Sequence, residues 1–208
     1  NNVNITINVE DNVCVQLFEY SNNNDINTNI TYNLGKNSSL IISKFYYNDN
    51  TNEEINIYLN KKNANIKYNF SSISKSHDNY LINIYHNDST TNSDIFNRTI
   101  AKENSSNNFD INSYVENKIL DCYLNQSTKI ITLGDSNNKI NPNMFTHDNS
   151  VTAIHASVIG NVNEEELFYL MSRGISYNEA IKIIIKGIIL SNINPNMEYR
   201  EKILNILE

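Results

Sequence analysis

From Asn2 to about Val158 the apolar side chains recur at every second position in short runs. Ile5, Ile7 and Val9 form one run and Val13, Val15 and Leu17 the next; Ile55, Ile57 and Leu59, then Ile66, Tyr68 and Phe70, then Tyr80, Ile82 and Ile84 continue the pattern. Successive side chains of a strand point to opposite faces, so this alternation predicts strands with one buried face. Clusters of Asn, Asp, Ser and Gly separate the runs at spacings of roughly 8 to 14 residues, which suits an all-β sandwich, barrel or β-helix. The Asn-Gly and Asp-Gly dipeptides of tight hairpins are absent, and the polar connections vary in length as solenoid loops do. These features permit a β-helix. Without a strict repeat, periodicity alone does not choose between solenoid and sandwich.

After Gly160 the period changes. Asn163 followed by Glu166 reads as an N-cap with its return partner, and Leu167, Leu170 and Met171 follow at helical spacing until Gly174 closes the helix. Ser176 with Glu179 repeats the device ahead of Ala180, Ile183, Ile184, Ile188 and Leu190. Pro195 ends that region, and Met197 to Leu207 suits a third short helix. The chain therefore divides into a β part, 1–160, and a helical part, 161–208. Its first residue is Asn and a strand pattern is already under way there, so the β part reads as an N-terminally truncated fragment.

Composition adjusts this picture in three places. Asn makes up roughly a fifth of the chain, with many Ile, Tyr and Lys, a mixture we read as the bias of an AT-rich genome; most of the Asn residues are expected in turns. Sequons such as Asn29-Ile30-Thr31 are then chance matches. No apolar leader or long apolar run occurs, so the expected place is the cytoplasm, or a plastid if the source is an AT-rich parasite. The net charge of −7 and scattered Lys residues argue against nucleic acid as a partner, and no membrane partner is expected.

Candidate chemistry is sparse. The chain has no Gly-rich phosphate loop, HExxH, G-x-S-x-G or paired-carboxylate signature, and only five glycines, so ATP chemistry would have to come from a partner. The two cysteines, Cys14 and Cys122, form no CxxC pair and suit buried thiols. Among the four histidines, His155 stands out because it sits in the apolar run Val151 to Ile159. A lone histidine there is more often a satisfied core or interface residue than a ligand. Phe168, Tyr169 and Arg173 gather around one helix end. Either the aromatics fill the seam between helix and β core while Arg173 pairs with a carboxylate, or the three form a docking surface, since aromatic and Arg side chains are enriched at interface hot spots.

The stretch from Thr132 to Leu190 resembles the C-terminal signature of the SufB/SufD family of iron–sulfur cluster assembly proteins. The residues that carry it are Pro142-Asn143-Met144, then Val151 to Gly160 with His155 at its centre, then Glu166-Leu167-Phe168-Tyr169-Leu170-Met171-Ser172-Arg173-Gly174-Ile175 and Glu179-Ala180. A looser likeness covers Tyr80 to His86 and Ser93 to Ala101. The resemblance implies a mainly β fold, a right-handed parallel β-helix followed by a small C-terminal helical domain. It also implies a non-enzymatic scaffold that pairs with a SufB-like subunit or with itself, docks the SufC-type ABC ATPase on its helices and carries at most a transient iron–sulfur cluster at the subunit interface. His155 matches a SufD histidine implicated at that interface, a possible metal ligand. Its neighbours Ile154 and Ala156 replace the glutamates of SufB, and Asp135 to Asn138 lacks the SufB acceptor cysteine, so the chain is more SufD-like. Cys122 reads as a structural thiol. Two readings from other classes are a carbohydrate-active β-helix enzyme and a surface adhesin; neither accounts for the helical tail.

Overall fold

The computed structural model describes residues 3–208, so the strand pattern at Asn1 and Asn2 lies outside the described residues. Twelve strands precede three helices: β1 Val3–Val9, β2 Cys14–Ser21, β3 Asp25–Leu34, β4 Ser39–Tyr46, β5 Asn50–Leu59, β6 Asn65–Ser74, β7 His77–His86, β8 Asn92–Lys102, β9 Ser106–Val115, β10 Tyr123–Leu133, β11 Asn137–Thr146, β12 Thr152–Gly160, then α1 Glu164–Ser172, α2 Tyr177–Asn192 and α3 Met197–Ile206. Odd-numbered strands form one six-stranded sheet in chain order, and even-numbered strands form a second. All pairings are parallel. Each turn of the chain thus lays one strand on each sheet, the architecture of a parallel β-solenoid of about six turns. This resolves the choice that periodicity left open.

The rungs are unequal, which is why no repeat stands out in the sequence. Val3 pairs with Thr28, a rung of 25 residues, whereas Ser106 pairs with Asn137, a rung of 31. The extra residues enter at the corners and leave the strand registers intact. The corners turn through left-handed residues, among them Asn12, Asn37, Asn63 and Asn104, with φ of 53° to 63°. Asn tolerates that conformation because its short side chain hydrogen-bonds locally.

Many other Asn residues lie in strands, contrary to the expectation that they would sit mostly in turns. Stacked on successive rungs of the odd sheet's outer face, they form ladders: Asn143 Nδ2 donates to Asn112 Oδ1 (2.9 Å), Asn112 Nδ2 to Asn83 Oδ1 (3.0 Å) and Asn83 Nδ2 to Asn56 Oδ1 (3.0 Å). Each amide both donates and accepts, so an in-register column of identical side chains satisfies itself. An aromatic ladder runs on the same sheet, with Tyr58, Tyr85, Tyr114 and Phe145 stacked at centroid spacings of 4.8, 5.0 and 5.0 Å. That spacing is the distance between neighbouring strands.

Ile30, Ile55, Ile57, Ile82, Ile84 and Ile111 from the odd sheet meet Leu40, Ile42, Ile66, Tyr68, Phe70 and Ile95 from the even sheet inside the solenoid. One charged cluster shares this interior: the fully buried Lys44 lies 3.0 Å from Glu53 and 3.1 Å from Glu19. On the outer face of the even sheet, Phe45, Ile73, Ile100 and Ile131 pack against Ile185, Ile189, Ile193, Ile203 and Leu207, so α2 and α3 lie along the sheet. Ala180 and Ile184 of α2 are buried as their spacing predicts; Ile183 faces out, and Ile185 is buried instead because the stripe Ile181, Ile185, Ile188 and Ile189 is the one that meets the sheet. Asn192 Nδ2 pins the end of α2 by donating to Phe70 O at 2.8 Å.

Candidate functional site

The solenoid is open at its last rung. Among the described residues β11 pairs only with β9 and β12 only with β10, so both strands present a free edge. With no further rung stacked on them, apolar side chains on both faces are left uncovered: Ile159, inward by its pairing with Ile130, is 46 % exposed, Ile154 and Val158 on the outer face are 48 % and 52 % exposed, and Phe145 ends the aromatic ladder with its outer ring face open. Exposed apolar edge strands are a liability that native proteins cover.

His155 sits in this rung. Its register partner is Gln126, which is buried and points into the solenoid, donating to Ser113 Oγ at 2.8 Å and Asn143 O at 3.2 Å. His155 therefore occupies an inward position that is nevertheless exposed, because the solenoid ends there. Pro142, Met144, Phe145 and Ala153 surround it in a recess of about 460 Å³. The reading of His155 as a satisfied core residue does not hold; the imidazole stands at the mouth of the solenoid interior.

Cys122 is buried, as expected, with Sγ 3.3 Å from Thr91 Oγ1, which lies 2.8 Å from Nδ1 of the buried His86. It lies just ahead of β10, four residues before Gln126, roughly 13 Å of extended chain from the His155 level. The structure does not bring Cys122 and His155 together. Cys14, by contrast, is exposed; its strand, β2, lies at the other end of the even sheet, where among the described residues it pairs with β4 on one side. Among the described residues no group of three or more His, Cys, Asp or Glu side chains is placed to hold a metal ion.

The second candidate surface is α1. Asn163 caps it, its side chain accepting from the Glu165 and Glu166 amides at 2.8 and 3.2 Å, and three glutamates in the first turn complement the helix dipole. At the other end the amide of Ile175 returns to Leu170 O (3.3 Å) around Gly174, whose φ of 88° admits little but glycine. No residue of α1 is buried. Phe168 is 75 % exposed and Tyr169 57 %, and the Arg173 guanidinium lies 5.3 Å from the Tyr169 ring centroid. The seam-filling reading of these aromatics is thereby overturned, and among the described residues Arg173 has no carboxylate partner. The cause is that α1 leans on α2 rather than on the sheet: Tyr169 and Leu170 border a recess with Ile184.

Residues 1–188 match the family described as "SUF system FeS cluster assembly, SufBD core domain". The iron-sulfur cluster assembly protein SufD of Bacillus subtilis is 25 % identical over 134 residues, 63 % of this chain and 31 % of that protein. SufB of the same organism is 47 % identical over 47 residues, 23 % of this chain and 10 % of that protein. An iron-sulfur cluster assembly SufBD family protein of Pyrococcus horikoshii is 54 % identical over 35 residues, 17 % of this chain and 8 % of that protein. The matches thus span less than a third of each of these relatives.

Proposed function

Because the chain belongs to the SufBD core family of iron–sulfur cluster assembly proteins, we propose that it is a SufD-like scaffold subunit, pairing through its last solenoid rung and docking a SufC-type ABC ATPase through α1. The observation that carries this reading is that the chain's own fold leaves two apolar surfaces uncovered: the β11–β12 rung with Phe145, Ile154 and Val158, and the α1 face with Phe168, Tyr169 and Met171. Apolar edge strands favour a partner that supplies strands, as a SufB-like subunit or a second copy of this chain would. A rigid aromatic pair beside an arginine favours a protein surface with an apolar pocket and a carboxylate.

In this reading the cluster is cargo. Imidazole is a borderline ligand suited to iron, so His155 would contribute one ligand at the paired interface, while thiolates come from the partner. A single histidine holds no cluster alone, which makes assembly dependent on pairing. The chain performs no bond chemistry itself; hydrolysis of ATP in the docked ATPase would shift the paired subunits and open the His155 recess.

The test is an anaerobic pull-down of the full-length protein from its host, alongside a Phe168→Ala/Arg173→Ala variant. Recovery of an ABC-type ATPase by the wild type and its loss with the folded variant supports the proposal. Absence of any such ATPase with folded wild-type protein overturns it.

A further inference from the structure

Between the outer face of the even sheet and the connection from α2 to α3 runs a trough of about 710 Å³ that neither the paired rung nor the α1 surface uses. The strand register shows how it is built. Phe18, Ser43, Asn69 and Phe96 fall in one row across β2, β4, β6 and β8, so small side chains form the floor between two aromatic ends. The wall is Ser191 to Asn194 and Asn196, and the trough is held open because Asn192 ties that wall to the backbone of Phe70 and Phe96.

The two ends differ in chemistry. At the β2–β4 end Phe18, Ile41 and Ile193 provide apolar surface. At the β6–β8 end Lys67 lies 5.9 Å from the centroid of Phe96, and Arg98, the next outward residue on β8, is half-buried. Hydrogen bonds from its Nη1 to Asn97 O (2.8 Å) and Ser127 O (3.0 Å) hold the guanidinium in place. No carboxylate lines the trough, although the chain carries a net charge of −7. Asp94, the register partner of Lys67, is engaged by Asn125 Nδ2 at 2.9 Å. A half-buried cation without a counter-charge favours an incoming anion, and apolar surface beside it favours an apolar body on the same molecule.

We propose that this trough binds a small amphiphilic anion, a phosphate monoester or carboxylate with an aromatic or aliphatic body, its charged head between Lys67 and Arg98 and its body against Phe18 and Ile41. The head rests on Lys67 as a mobile point charge and near Arg98 as a fixed positive charge, whose Nη2 also donates to Ser127 Oγ at 3.2 Å, so Lys67 is the residue to test without disturbing the fold.

Isothermal titration of the full-length protein with 1-naphthyl phosphate and with octanoate distinguishes the phosphate from the carboxylate head, and titration with 1-naphthol and inorganic phosphate measures the two halves of the first ligand. Saturable binding of one whole ligand, tighter than that of either half, and weakened at least tenfold by Lys67→Glu is the expected result. Lys62→Glu, an equal charge change on a distant corner, is expected to alter it less than twofold. No saturable binding of either whole ligand, or equal losses in the two variants, overturns the proposal.

Discussion

Two buried titratable groups inside the solenoid have opposite effects on stability, and separating them gives a quantitative test of the packed interior. Burial pushes the Asp78 carboxyl up to about 6, partly offset by neighbouring Ser74 and Thr51, and its Oδ1 finds no hydrogen-bond partner. Burial pushes His86 down to about 4, while its ring nitrogens lie 2.8 Å from Thr91 Oγ1 and 3.0 Å from Ser93 Oγ. As pH rises from 3.8 to about 6, the unfolded chain ionises Asp78 before the folded one does, so folding loses stability, about 3 kcal/mol in all. As pH rises from about 4 to 6.5, the unfolded chain releases the histidine proton that the folded chain has already lost, so folding gains about 3 kcal/mol. In the wild type the two slopes nearly cancel. Asp78→Asn removes the first and exposes the second: urea unfolding between pH 4 and 7 is expected to show stability rising by about 3 kcal/mol in this variant relative to the wild-type profile. His86→Gln is expected to show the reverse slope. If both variants keep the wild-type profile shape, neither group is buried as described.

Two further outcomes follow from packing. Lys44→Met leaves Glu53 buried without its cation and is expected to cost about 4 kcal/mol in urea melts, most of it recovered by Lys44→Met/Glu53→Leu, since replacing a whole buried pair costs far less than breaking it. Ile189→Ala, at a fully buried site between α2 and the even sheet, is expected to cost about 3 kcal/mol and to raise hydrogen exchange in α2 and α3 before the solenoid strands.

The alternation at Ile55, Ile57 and Leu59, and the cap pairs Asn163 with Glu166 and Ser176 with Glu179, placed strands and helices because both signals are local. Ser176 and Glu179 do form a capping box, whereas Asn163 caps through its side chain alone. Parallel stacking was not legible from periodicity, since it depends on contacts 25 to 31 residues apart across rungs of unequal length. The same distance hid the Asn ladders: Asn56, Asn83, Asn112 and Asn143 form a column only once the rungs are in register. Lys67 and Arg98 looked scattered for that reason too. Nothing local marked Lys44 as interior, since apolar residues occupy both faces of Leu40 to Tyr46; only the fold sets it on the inner face, where Glu53 waits on the opposite sheet. His155 was found through family likeness, and only the structure shows that it stands at an uncovered end.

In the proposed function the last rung is covered by another solenoid. Sedimentation velocity of the full-length protein, prepared anaerobically alone and with the SufB-like protein of its host, tests it most directly when wild type is compared with Ile154→Asp/Val158→Asp. A stable pair, with itself or with that partner, is expected for the wild type. Separate chains of unchanged thermal stability are expected for the variant. A variant that pairs as tightly as the wild type, or a folded wild type that pairs with neither, contradicts it.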